Sequence, residues 1–324
     1  NNEFNVKAKI GKIKINNQKL GDFSLSSIGN TKTNSYFTDL YLKKQDEKTV
    51  QIKGLWQGLK SPRLNFKIDV NDLDISFLSS LGKKALNKIH GKIGGEVNLW
   101  GSLDALNHNG SLAWSNGGFS VPFLNLDYKV EPTKISLKNQ NLFFKSVKIN
   151  DSNEGTSAIM NGRFFHSNFK NWITDLKISS DRMLLLNTKQ KPESLFFGQG
   201  YLDGDVQLEG PTKNLKIMLQ GKTEKGTSIK IPWSESYGLS DTSFVNFINK
   251  KGKERFENRI DTKRINDVKG LELGFELDVN NNASIEIVID QETGSYLSGR
   301  GEGNLLMEIN TKGKFNIWGD FITN

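Results

Sequence analysis

The sequence predicts an all-β protein: an elongated, curled, antiparallel-rich sheet built from repeated strand–turn–strand units, with one short helix. Three observations lead there. Apolar residues recur at every second position through most of the chain, the periodicity of strands with one covered face. GEVNLWG (Gly95–Gly101) and GDVQLEG (Gly204–Gly210) write one glycine-bounded strand twice, keeping Val and Leu while the polar letters drift. Finally, only 35% of the 324 residues are hydrophobic, with 31 Gly and 6 Pro, too few apolar residues to fill a thick, round core.

Each run follows the same rule. Val50, Ile52, Gly54 and Trp56 alternate with polar residues, then LKSPR (Leu59–Arg63) turns into Leu64, Phe66, Ile68 and Val70. Gly95, Val97, Leu99 and Gly101 share one parity and so one face, and SLDA carries that strand into the next. Gly204, Val206, Leu208 and Gly210 repeat the face, and PTKN leads to Leu215, Ile217 and Leu219. Leu271, Leu273, Phe275, Leu277 and Val279 follow, then Ile285, Ile287 and Ile289, then Leu305, Met307 and Ile309, then Phe315, Ile317 and Phe321. NQN (139–141), DSNEG (151–155), NNNA (280–283), QETG (291–294) and TKG (311–313) supply turn chemistry between runs. A short helix is expected near 76–90, where Phe77, Leu78, Leu81, Leu86 and Ile89 approach helical spacing. The organisation expected is repeated β units over 1–240, a charged, mixed-sign loop or linker over 241–268, and a final β segment over 269–324.

On the order of twenty strands is too many for one filled barrel, and stacked at about 4.8 Å they would reach roughly 95 Å. Glycine inside a strand removes bulk and permits a sharp bend, so the sheet can curl. Its apolar face then either packs on itself as a sandwich core or lines an open trough. Pattern alone leaves both open.

Net charge is +8, which fits lysines on solvent faces or affinity for anionic lipid headgroups or nucleic acid. Lys and Arg form no single patch in the sequence and no nucleic-acid-reading motif occurs, so nucleic acid is not an expected partner. Absence of Cys removes disulfides, thiol nucleophiles and cysteine metal sites. NNEFNVKAKI lacks the layout of a signal peptide, and no apolar run approaches the length of a membrane span. His90, His108 and His166 show no metal-ligand spacing and read as structural. Asp72 and Asp74, an imaginable glycosidase pair, sit i, i+2 on what reads as a solvated strand face. Trp56, Trp114 and Trp233 give slight support to a carbohydrate-binding protein. No hydrolase, nucleotide or zinc-protease motif is present, so no enzyme, cofactor or metal is expected.

The run SIEIVIDQETGSYLSGRGEGNLLMEINTKGKFNIWGDF (Ser284–Phe321) resembles the end of TamB-type translocation and assembly proteins in the form found in Bacteroidetes. Gly299-Arg300-Gly301-Glu302-Gly303 and Gly319-Asp320-Phe321 carry the likeness, and NDLDISFLSSLG with the glycine-bounded strands is similar to the AsmA-like repeats of that family. The resemblance implies a taco-shaped periplasmic β-groove that carries phospholipid or another acyl-chain lipid between inner and outer membranes. It also implies work with an outer-membrane assembly barrel (TamA- or BamA-like). The family's last strands and its N-terminal inner-membrane helix are not in these residues, so the chain reads as a C-terminal fragment. The lining it implies is Val50, Ile52, Leu64, Phe66, Ile68, Val97, Leu99, Val206, Leu208, Leu215, Ile217, Leu219, Leu273, Phe275, Leu277, Ile285, Ile287, Ile289, Leu305, Met307, Ile309, Phe315 and Ile317. Arg300 is expected either at a tight turn or as a headgroup or partner contact.

Overall fold

A computed structural model describes residues 2–15, 18–80, 86–191, 194, 196–232, 271–290, 295–310 and 315–323. Their backbone forms one 19-stranded sheet. Strands β1 (Glu3–Ile15), β2 (Gln18–Asn30), β3 (Ser35–Lys44), β4 (Glu47–Gln57), β5 (Arg63–Asp74), β6 (Asn87–Ser102) and β7 (Ala105–Val121) form an antiparallel meander. The next level holds two short strands, β8 (Leu126–Val130) and β9 (Thr133–Lys138), both paired to β7 and to β10 (Asn141–Asp151). They are one strand interrupted at Pro132, which has no N–H to give the ladder.

The meander continues through β11 (Ser157–Ser167), β12 (Lys170–Thr188) and β13 (Phe197–Pro211). Two further levels are split the same way: β14 (Leu215–Thr223) with β15 (Ser228–Pro232), and β16 (Leu271–Val279) with β17 (Ser284–Asp290). β18 (Ser295–Asn310) and β19 (Phe315–Thr323) close the order. Between these two split levels the pairing is parallel, β14 with β16 and β15 with β17. Nineteen strands therefore fill sixteen levels, a stack on the order of 70 Å.

Two local expectations are corrected. The helical spacing near 76–90 yields a 3₁₀ turn at Ser76–Ser80, fastened by the Ser76 N–H and hydroxyl donating to Asp74. Asn87 to His90 belong to β6, in register with Ser120 and Gly118. Edge-to-edge pairing captures those residues because a short helix with Gly82 in it has little stability of its own. NNNA is not a hairpin. β16 and β17 run collinearly, and 280–283 is a break at which the strand creases. The 241–268 segment, QETG and TKG lie outside the described residues.

The creases of neighbouring levels are fastened to one another by buried threonines. Thr156 Oγ1 accepts from the Leu184 N–H at 2.8 Å, and Thr227 Oγ1 accepts from the Tyr201 N–H at 3.1 Å. Thr223 takes both the Asn280 N–H on its hydroxyl, at 3.1 Å, and the Asn280 side-chain amide on its carbonyl, at 2.7 Å. Backbone groups that the ladder loses at each break are thereby satisfied, as burial demands.

Candidate apolar groove

Directly opposed residues of paired strands point to the same face. The register therefore carries a side-chain row across the sheet. From β3 it reads Leu40, Ile52, Ile68, Val97, Gly110. One row over it reads Gly54, Phe66, Leu99, His108. In the C-terminal part Ile178, Val206, Leu219, Phe275 and Met307 stand in line, as do Leu176, Leu208, Ile217, Leu273 and Ile309, and the backbone register sets positions 317 and 315 opposite Met307 and Ile309. Val50 faces Val70 and Leu64 faces Trp56, while Leu215 meets Leu271 and Leu277 meets Leu305. Ile285 and Ile287 lie beside Ile229 and Ile231, with Ile289 at the strand end, 48% exposed. The register thus carries a shared parity from strand to strand, while Ile289 falls at a register shift and has no partner in it.

The curl depends on glycines at that face. Gly95 has φ +147, and a Cβ there would sit 2.2 Å from the Ser111 carbonyl oxygen. Gly204 has φ +156 and would sit equally close to that of Gln220. No other residue permits such backbone approach. The opposite, convex face is polar. Lys67 bridges Glu96 and Asp69 at 3.1 and 3.3 Å, and Lys177 reaches Asp205 at 2.9 Å. Asp205 is held below the usual carboxylate range by the Ser179 hydroxyl and then Lys177. The drifting acids of the two heptads are thus water-facing members of exposed cross-strand ion pairs, which individually stabilise little.

The inner face is not filled evenly. Along β8–β13 it is closed by protein: Leu126, Val147, Ile149, Leu184 and their neighbours form a single cluster, with Val147 and Leu184 at 0% exposure. The Tyr128 hydroxyl donates to the Leu184 carbonyl across this core, and burial, then Asp151, pushes its pKa up. Burial works against the Asp151 carboxylate, yet donors from Glu154, Thr156 and Asn153 outweigh it and hold its pKa low. Along β1–β6 no comparable cluster occurs among the described residues, although Leu64, Ile75 and Val97 are buried. Val50, Ile52, Phe66 and Ile68 are only half-buried, and Phe4, Val6 and Ile10 are exposed. Farther on, Leu124, Leu185, Phe196, Ile231, Phe275 and Met307 help line an apolar cavity of about 80 Å³. That is below the ~150 Å³ of a cavity able to take benzene, so it holds a few methylenes at most.

His108 and His166, 58 residues apart, meet on the inner face with Nε2 atoms 2.8 Å apart, buried at 1% and 0% exposure. The Phe169 N–H donates to His166 Nδ1, so His166 carries its proton on Nε2 and gives it to His108. His108 then holds its proton on Nδ1, a buried atom without a partner. Phe169 stacks on His166 at 4.5 Å, and Trp172 packs at 4.6 Å. Burial, then His166, lowers His108 to about 4. Burial lowers His166 as well, so charge is disfavoured on both rings. Spacing in the sequence carried no sign of this pairing.

The remaining candidates are placed as follows. Arg300 is no turn residue; it is exposed within β18 opposite Ser284. Asp72 pairs with Lys92 at 3.1 Å and Asp74 fastens the 3₁₀ turn, so the two carboxylates do different structural work. Trp114 donates to the His90 carbonyl, and Trp233 lies outside the described residues. Among the described residues no group of three or more His, Asp or Glu could hold a metal, and no helix is long and apolar enough to cross a membrane.

Comparison with curated proteins and with solved structures found no match. A family model, the TamB C-terminal domain, matches residues 145–324. That span covers β11 to β19 and most of β10, including the end of the filled section and the whole C-terminal groove wall. With more than half of its length matched, on a curled all-β sheet with one apolar face, the chain belongs to the TamB family.

Proposed function

We infer that this chain works, as a TamB-family protein, in transport and assembly within the cell envelope. We propose that this chain is a section of a periplasmic lipid conduit, its inner face shielding acyl chains between the inner and outer membranes while headgroups stay in water. The observation that supports this most strongly is the apolar row, much of which stays half-buried over β1–β6 and outside any core cluster among the described residues. Exposing one methylene to water costs about 0.8 kcal/mol, so a whole tail faces roughly 10 kcal/mol or more without cover. A continuous wall removes that barrier and needs no chemistry. Arg300 stands as a headgroup or partner contact.

The test is native mass spectrometry of gently purified protein, together with an Ile52→Asp variant in a lipid-transfer assay. Bound phospholipid and a folded, transfer-deficient variant are expected. A lipid-free wild type, or a variant that transfers normally, overturns the reading. A second reading, docking of an outer-membrane barrel by strand addition, is favoured by β19, which pairs only with β18 among the described residues and exposes Trp318 and Ile322. Crosslinks from 315–323 to a barrel protein would support it.

A further inference from the structure

In a meander the turns alternate between two long rims. One rim carries the turns at 31–34, 58–62, 103–104, 139–140, 168–169 and 212–214. In or directly beside those turns stand Lys32, Lys60, Arg63, Lys138, Lys170 and Lys213, all exposed, against one acid, Asp104. The other rim mixes signs: Lys44, Lys189 and Lys191 share it with Asp46, Glu47 and Glu154. Pairing differs too. Cations on the convex face, such as Lys53, Lys67, Lys92 and Lys177, have a carboxylate within 4 Å, whereas none of the six rim cations does among the described residues. Charge that looks scattered in the sequence is therefore gathered by the fold along one edge.

The same rim exposes apolar side chains: Leu59 at 69%, Phe169 at 47% and Leu103 at 40%. Trp56, on the inner face at this end of β4, is 36% exposed. Unpaired cations interleaved with exposed apolar groups suit a headgroup and its first methylenes together. Successive rim turns lie two levels apart, about 10 Å, close to the Debye length of ~8 Å at physiological salt, so neighbouring potentials overlap.

We infer that this rim is an anionic-headgroup rail: it engages lipid phosphates while the tails lie on the inner face. The inference rests on the groove reading above and adds a lipid class to it. Free phosphate would use the cations and gain nothing from Leu59, Leu103 or Phe169.

The experiment uses the full chain and vesicle flotation, with phosphatidylcholine alone or with one-quarter phosphatidylglycerol. A rim variant (Lys32→Gln, Lys60→Gln, Arg63→Gln) is compared with a charge-matched face variant (Lys53→Gln, Lys67→Gln, Lys92→Gln). The wild type is expected to prefer the anionic vesicles by about tenfold or more, with a preference that salt weakens. The rim variant should lose that preference and the face variant keep it, both melting as the wild type does. Equal loss in both variants, or loss in neither, overturns the proposal. So does displacement by inorganic phosphate beyond that of a chloride control at matched ionic strength, which assigns the rim to free phosphate. A photocrosslinker at Phe66 reads the tails separately. If it fails to label lipid while the rim difference persists, the groove reading has failed and the rail has not.

Discussion

The two halves of the sheet share a sequence rule and differ in what covers their apolar face. β4–β6 and β11–β13 both alternate, both carry bending glycines, and both turn their acids outward into ion pairs. Yet β8–β13 wrap a core in which Leu184 and Val147 see no solvent, while Ile52, Phe66 and Ile68 on β4 and β5 stay half-buried and join no such cluster among the described residues. Alternation decides which way a side chain points. Whether that face is then closed depends on curvature and on contacts distant in the chain, such as Tyr128 to Leu184 and His108 to His166. In one half protein fills the trough; in the other, among the described residues, the apolar face is covered only in part.

The largest test of that contrast is a matched pair of truncations. Leu184→Ala should lower unfolding stability by about 3–5 kcal/mol in urea, whereas Ile52→Ala should cost only about 1, since half-buried methylenes leave no cavity. Equal losses would mean that β1–β6 are covered after all. Next comes curvature. Gly204→Ala should cost about 2–3 kcal/mol, because a Cβ there meets the Gln220 carbonyl at 2.2 Å. Gly155→Ala, at φ +70 with nothing within 4 Å, should cost about 1–2.

Acid should act on the filled half through its buried histidine pair. His108 is pushed down to about 4 from its ordinary value near 6.5, so below pH 6.5 the unfolded chain takes up protons that the folded pair refuses. Stability is then undiminished above about pH 6.5, falls as pH drops from there, and stops falling on this count below about 4. Hydrogen-exchange protection at β7 and β11, taken relative to the intrinsic rate at each pH, should fall across that window, and His108→Leu should flatten the response. Smallest is the crease: Asn280→Ala removes the side-chain amide's hydrogen bond to the Thr223 carbonyl, leaves the backbone N–H donating to the Thr223 hydroxyl, and should cost about 1 kcal/mol, read as a lower melting temperature.

Much of the fold is legible because period-2 patterning is local. Leu215, Ile217 and Leu219 declare their face in five residues, and the register confirms it opposite Leu208 and Leu273. Asn-rich 280–283 shows where local reading stops. The same turn chemistry serves a hairpin or a crease, and only the common partner β18 decides between them. The helical spacing around Leu86 and Ile89 misled for a related reason, since strand pairing with β7 outweighs a weak local preference. Nor could the six rim cations be gathered from sequence, because their nearness exists only once alternate turns line up.

The chain contains no cysteine, so single cysteines report cleanly on the inner face. The most direct measurement is labelling of Ile52→Cys and Ile149→Cys with a maleimide carried on an acyl chain, in the folded protein and again in urea. The expected result is rapid labelling of position 52 in the folded state and labelling of position 149 only after unfolding. Comparable protection at both positions would contradict an apolar face open over β1–β6 and closed over β8–β13.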